Sequence, residues 1–224
     1  MELPTSFTVI GAPLSPFVRK VHIAMQLKGI EFTMDPVSPF NLPEGYEKIN
    51  PAKRIPVLQH DETYICDSSV ICHYLEKLFP DPGLVAESPL MKAQTDWLEK
   101  FADNELAPVI TATAFRHRVI FRSMGTPFDE AEIDAIIDEK APPLFDYLNE
   151  LIGNGNFLVG NQLSLADIAV ISQFINASLG GVQVDEQRWP NLARYVAYHF
   201  DSDTFSASLA GARKMVDKML ARAN

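Results

Sequence analysis

Three short segments of this chain carry residue types that could do chemistry together: Ser15-Pro16-Phe17, Arg54-Ile55-Pro56-Val57-Leu58 and Asp67-Ser68. Ser15 brings a hydroxyl to the point where a strand gives way to a helix. Pro56 opens a short apolar strand. Asp67 and Ser68 bring a carboxylate and a second hydroxyl to another helix start. Helix N-termini present unpaired amides and partial positive charge, and an open strand edge pairs with extended backbone. The set suits a small peptide-like anion with free carboxylates. Taken singly, each segment has a plainer reading. Ser15 before Pro16 is a good helix cap, Pro56 an edge-strand proline, and Asp67-Ser68 a second cap. Their order and spacing carry the sharper reading.

These residues need elements to place them. Phe7-Thr8-Val9-Ile10, β-branched and aromatic, predicts a strand. Gly11–Leu14 is a loop, and Pro16 sits in the first turn of the following helix, where proline is favoured. Val18, Val21, Ile23, Ala24 and Leu27 give that helix its apolar side, and Gly29 ends it. Arg19 and Lys20 on the same helix are expected to be solvated. Glu31–Met34 predicts a second strand, hence a β-α-β unit and a parallel pair. Pro36, Pro39, Pro43 and Gly45 make the next stretch irregular, with a short helix expected over Glu44–Ile49. Val57–Gln59 and Thr63–Ile65, separated by His60-Asp61-Glu62, predict a hairpin. A helix capped by Asp67 or Ser68 then runs to about Leu78.

Pro80-Asp81-Pro82-Gly83 and Pro89 mark a linker over 81–90, after a first domain at 1–80 and before a second at 91–224. No strong strand signal follows Leu90. Helices are expected over about 90–123, 127–152, 164–179, 189–199 and 208–222. The fold class is therefore α/β plus all-α. Within the second domain, Ser164-Leu165-Ala166-Asp167 is a capping-box pattern with Leu163 and Ile168 in staple positions. The helix it opens is apolar almost all round and should be central. Arg116-His117-Arg118 reads as a solvated face. Trp97 and Phe101, four apart, read as core or interface, and Trp189-Pro190 as a helix start.

Composition limits the rest. The 224 residues are 47% hydrophobic and 21% charged, ordinary for a chain that buries a core. No run of eighteen apolar residues predicts a membrane span, and the start lacks the basic and apolar regions of a secretory signal, so the cytoplasm is expected. A formal net charge of −10 disfavours nucleic acid and anionic membrane as partners. Two cysteines, Cys66 and Cys72, make neither a disulfide framework nor a metal pattern. They read as small buried hydrophobes in a reducing compartment.

Over nearly its whole length the chain resembles the cytosolic glutathione transferases: the three segments above, the Pro-rich linker, the helical second half and the Ser164–Asp167 box. The Ser-Pro-Phe start is most similar to the serine-type branches, bacterial, tau-like and zeta-like. Omega-like members carry cysteine where Ser15 stands, and no tyrosine occurs near the chain start as in alpha, mu and pi members. The resemblance implies an N-terminal thioredoxin-like domain followed by an all-helical C-terminal bundle, with glutathione as cosubstrate and no metal. It makes Ser15 the catalytic hydroxyl, donating to the glutathione sulfur. It places Ile55 and Pro56 among the glutathione-binding residues, with Pro56 a cis-proline after Ile55, and makes Val57 the residue that pairs with the cysteinyl backbone. Asp67 and Ser68 would hold the γ-glutamyl end, Phe17 would join the site, and Lys48 and Arg54 would face the glycyl carboxylate. A small hydrophobic electrophile would bind in a cleft that Leu14, Phe115 and Arg116 border, and a homodimer is implied.

The implied chemistry is physically coherent. A thiol with a pKa near about 8.5 is mostly protonated at neutral pH, and only the thiolate attacks readily. A hydroxyl donor and a helix N-terminus favour the thiolate. A peroxidase or isomerase using glutathione, or a ligand-binding protein without turnover, are the rivals. The loop Ala12-Pro13-Leu14-Ser15 lacks the serine and cysteine richness of maleylacetoacetate-isomerase-like members.

Overall fold

The structure, a computed structural model, describes residues 6–223. Contacts divide it into two units, one up to Val85 and one from Ala86 onward.

The first unit is a four-stranded sheet of β1 (Phe7–Ile10), β2 (Thr33–Asp35), β3 (Val57–His60) and β4 (Thr63–Cys66), in the order β2-β1-β3-β4. β1 and β2 are parallel, as a β-α-β unit requires, and β3 is antiparallel to both β1 and β4. Asp61, at a φ of 50°, turns the β3–β4 hairpin. α1 (Pro16–Leu27) and α2 (Ser68–Leu78) pack against each other, and α2 also packs on β3 and β4. Alternation along β1 and β3 sorts the side chains. Phe7 and His60 form one cross-strand pair, and their rings meet Phe79 and Tyr74 at α2. On the opposite face Ile10 and Val57 join Val37 and Tyr46 in a second cluster. That cluster is closed by the irregular stretch, whose one short helical turn is Tyr46–Lys48.

α1 ends as its sequence predicts. Gly29, at a φ of 63°, follows the last turn, and Ile30 N–H reaches back to the Met25 carbonyl at 2.9 Å. Arg19 and Lys20 depart from expectation: they are 2% and 1% exposed. A helix covered on more than one side has no fully solvated stripe, so its charges are enclosed with their contacts. Lys28 is enclosed too. Its ammonium meets Glu76 Oε2 at 2.7 Å and donates to the carbonyls of Phe79 at 2.7 Å and Pro82 at 2.8 Å. Glu76 accepts in turn from Leu84 N–H at 3.1 Å. One buried ion pair thus ties the end of α1 to the segment that leaves α2. Lys28→Met would strand the Glu76 carboxylate and is expected to destabilise the protein by about 3 kcal/mol, read as a lower denaturant midpoint. An unchanged midpoint would show that solvent replaces the ammonium.

The second unit is helical. α3 (Pro89–Phe101) continues directly into a π-helical segment, Ala102–Phe121, where a single α-helix over 90–123 was expected. Pro108 inside it has no N–H, so an i→i−4 ladder could not run unbroken there. α4 (Glu130–Ile152), α5 (Leu165–Leu179), α6 (Pro190–Phe200) and α7 (Asp203–Ala223) follow, the last starting five residues ahead of its predicted 208. α5 packs on the π segment and on α3, with every residue from Leu165 to Ala177 buried. Its cap is buried as well. Asp167 accepts from Ser164 N–H at 2.9 Å, Ser164 Oγ at 2.8 Å, Leu158 N–H at 2.9 Å and Tyr195 Oη at 2.9 Å. Burial pushes its carboxyl upward while those four donors pull the other way. α6 begins at Trp189-Pro190 as predicted, but Asn149 of α4 caps it, taking the N–H groups of Asn191 and Leu192 at 2.9 and 3.2 Å. Among the described residues no helix is long and apolar enough to cross a membrane.

Candidate functional site

One row of the sheet assembles the site. Ile10 ends β1, Val57 begins β3 and Cys66 ends β4, and these three lie opposite one another: Ile10↔Val57↔Cys66. At one strand spacing per step, Ile10 and Cys66 are roughly 10 Å apart. The loop leading to Ser15, the segment Arg54-Ile55-Pro56 and the turn at Asp67 therefore all leave the sheet at the same end. Motifs some fifty residues apart in sequence become neighbours through strand order alone.

Ser15 is half-buried and extended, with φ −71° and ψ 127°. Its Oγ accepts from Val18 N–H at 3.4 Å. Capping of this kind uses an oxygen lone pair and leaves the hydroxyl hydrogen to donate elsewhere, so cap and catalytic donor are compatible roles. Arg19 N–H bonds the Ser15 carbonyl, and Pro16 has no N–H. The half-buried Phe17 is thus the first-turn residue whose amide lacks an intrahelical acceptor.

The Ile55–Pro56 peptide is cis, as the resemblance implied. Val57 does not have the role expected of it. β3 lies between β1 and β4, so Val57 faces a strand on each side and offers no open edge. Ile55, half-buried and outside both ladders, is the residue of this segment whose backbone can pair with an extended ligand. The hairpin was legible in sequence, but the insertion of β3 beside β1 was not.

Sequence reasoning also missed what fixes this segment. Tyr46 Oη and Asn50 Nδ2 both donate to the Arg54 carbonyl at 2.9 Å. Tyr46 is 2% exposed, and burial, ahead of the nearby Cys66 and Asp35, pushes its phenol up to about 12. Asn50-Pro51 was an available turn signal. Lys48 and Arg54 are both solvent-exposed, as is Lys53 between them, at a φ of 54°.

Asp67 is exposed and holds a φ of 76°, rare for a residue with a side chain. Its Oδ1 accepts from Ser69 N–H at 2.9 Å and Val70 N–H at 3.2 Å, which caps α2. Oδ2 makes neither bond. Ser68, at the first helical position, is 4% exposed. Strain of about 1–3 kcal/mol held at a cap points to function at that position.

Cys66 is half-buried, its thiol 3.5 Å from the Ile49 carbonyl, and burial pushes its pKa up. Cys66 is therefore not in the low-pKa setting of a reactive thiol. Cys72 is buried. Leu14 is 7% exposed in the loop after β1. Phe115 is 4% exposed, and a Cβ on Gly180 would stand 2.7 Å from its backbone nitrogen, so α5 ends directly against it. Of the three residues expected to border an electrophile, only Arg116 is solvent-exposed. Next to it, Arg118 is no solvated charge. It is paired with Glu130 at 2.6 Å and with Asp134, and donates to the Gly180 carbonyl at 3.0 Å.

Residues 9–83 match the glutathione S-transferase N-terminal domain, and residues 117–199 match the glutathione S-transferase C-terminal domain. The chain is 28% identical to a maleylacetoacetate isomerase of Pseudomonas aeruginosa over 78% of its length and 82% of the relative's. It is 28% identical to a glutathione S-transferase of Triticum aestivum, covering 89% and 91% of the two chains. A glutathione S-transferase structure from Rhodospirillum rubrum superposes with a TM-score of 0.81 at 23% identity, covering 90% and 91%.

Proposed function

Because this chain belongs to the glutathione S-transferase family, we propose that the sheet end built by Ser15, Ile55 and Asp67-Ser68 binds glutathione and activates its thiol. The convergence of those motifs on the Ile10↔Val57↔Cys66 row carries the reading. Ile55 pairs with the cysteinyl backbone. The γ-glutamyl end is a zwitterion, and the two groups at the start of α2 match it. Asp67 Oδ2 takes the ammonium, and the Ser68 hydroxyl and amide take the carboxylate. Arg54 and Lys48 meet the glycyl carboxylate. The Ser15 hydroxyl donates to the sulfur, and the open N-terminus of α1 adds partial positive charge.

Ser15 forms no covalent bond to substrate in this scheme. The thiol loses its proton to solvent, and the sulfur attacks an electrophilic carbon of an apolar substrate. In substitution a C–S bond forms and the leaving group departs with its electron pair. In addition the displaced pair moves to the neighbouring atom, which is then protonated. We expect the enzyme to act as a homodimer in the cytoplasm.

Calorimetric titration with glutathione at several pH values tests the site. Saturable binding with proton release near neutral pH supports thiol activation, and absence of binding removes the assignment. Asp67→Ala is expected to weaken glutathione binding about tenfold, through the lost charge-assisted bond. An unchanged dissociation constant would take Asp67 out of the site.

The likeness to a maleylacetoacetate isomerase favours a second reading, glutathione-dependent cis–trans isomerisation at the same thiolate. Glutathione would then add and leave again unconsumed. Product analysis separates the two, since only conjugation consumes glutathione.

A further inference from the structure

We propose that the helical unit carries a second ligand site, for a small aromatic amine, in the cavity between the π segment and the start of α4. The cavity has a volume of about 260 Å³ and lies wholly within one unit. One ring with a short side chain fills such a space.

Its walls are aromatic on one side and acidic on the other. Thr113, His117 and Phe121 line it from the π segment, at steps of four residues. The His117 ring stands edge-on to Phe121 at 4.9 Å and to Phe128 at 5.9 Å, so three rings frame the opening. Ile133 and Ile136 supply its apolar side. His117 Nδ1 lies 2.7 Å from the Thr113 carbonyl. A carbonyl only accepts, so Nδ1 carries a proton and donates it to Thr113.

The carboxylates divide in a telling way. Glu130 and Asp134 are neutralised by Arg118, and Glu130 also by Arg122 at 3.3 Å. The two acids that line the cavity, Asp129 and Glu132, belong to none of these pairs. Asp129 Oδ1 serves as the α4 cap, accepting from Ala131 N–H at 2.9 Å. No lysine or arginine lines the cavity among the described residues. Rings and two carboxylates outside those ion pairs, Asp129 beside the α4 amides it caps and the exposed Glu132, together select a ligand with an aromatic body and an ammonium group. Arg122 stands 5.6 Å over the Phe128 ring but is paired with Glu130, so a carboxylate or phosphate ligand would face Asp129 and Glu132 with no lining cation to oppose them.

The test uses the whole protein and phenethylamine, with 2-phenylethanol and 3-phenylpropionate as the neutral and anionic counterparts, all followed by calorimetry. Phenethylamine is expected to bind saturably, with an affinity unchanged within twofold at saturating glutathione. Glu132→Gln, a surface change that leaves the fold alone, should weaken it about fivefold. Phe128→Ala should weaken it about tenfold. The alcohol should bind more weakly than the amine, and the acid not at all. Failure of phenethylamine to saturate, equal affinity for the alcohol or the acid, indifference to Glu132→Gln, or displacement by glutathione would each overturn the proposal. Glutathione binding is read separately in the same samples, so this outcome and that of the first site are distinguishable.

Discussion

Ser15→Ala is expected to lower conjugation turnover about 100-fold while glutathione affinity stays within a few fold. The reason lies in what the side chain does and does not hold. In the proposed site glutathione would be held through backbone pairing at Ile55, charge at Asp67, and the hydroxyl and amide of Ser68, none of which the substitution touches. In that proposal Ser15 would supply one hydrogen bond to the sulfur, and such a bond is stronger to a thiolate than to a thiol. Removing a donor aimed at developing or standing negative charge typically costs about 10²–10³ in rate. A thiol returning two pKa units toward its free value near about 8.5 corresponds to roughly 2.7 kcal/mol. The sign follows from that shift. With the bound thiol's pKa raised, less thiolate is present at neutral pH, and the variant's rate should climb toward alkaline pH where the wild type has levelled off. Losing the cap on α1 adds a stability cost of about 1 kcal/mol. That cost is modest because the native cap bond is long, 3.4 Å. Stopped-flow or steady-state rates across pH read the first effect, and thermal melts the second. Equal rates at neutral pH would reduce Ser15 to a helix cap.

Asp167→Ala should be the most destabilising single change considered. Asp167 is fully enclosed and ends four hydrogen bonds, from Ser164 N–H, Ser164 Oγ, Leu158 N–H and Tyr195 Oη. Truncation leaves those donors facing apolar surroundings that water does not reach. Each buried donor without a partner costs about 1–3 kcal/mol, and partial relaxation brings the sum to about 4 kcal/mol. For a chain of 224 residues this lowers the melting temperature by roughly 10 °C. Asp167→Asn keeps one acceptor oxygen and should fall between wild type and alanine. A melting temperature within 2 °C or so of wild type for the alanine variant would show the cap to be dispensable. Any activity that remains in folded protein should have unchanged KM for glutathione, because Asp167 belongs to the helical unit.

Both residues were visible in the sequence, for a related reason. Ser15 with Pro16 and Ser164 with Asp167 act over three or four positions, and local spacing suffices to find them. The same holds for Gly29 at the end of α1 and for the β3–β4 hairpin, whose partners adjoin in sequence. The resemblance added the roles of Ile55-Pro56 and Asp67-Ser68, and the cis peptide at Pro56 agrees with it.

Other features had no local signature. Val57 looked like an open strand edge until β3 was found between β1 and β4, and the free backbone moved to Ile55. Arg19 and Lys20 looked solvated because charge in a helix usually is, yet both are buried, and Lys28 is held by groups some fifty residues away. Asn149 caps a helix that starts some forty residues later. Tyr46 and Asn50 hold the Arg54 carbonyl from an irregular stretch without periodicity. The sequence by itself determined where helices and turns begin and end, because those choices are settled by hydrogen bonds between residues a few positions apart. The order of strands, and with it the meeting of Ser15, Ile55 and Asp67 at one end of the sheet, was decided by tertiary structure. It depends on which apolar faces bury against each other across fifty residues of chain, and no short window of sequence contains that competition.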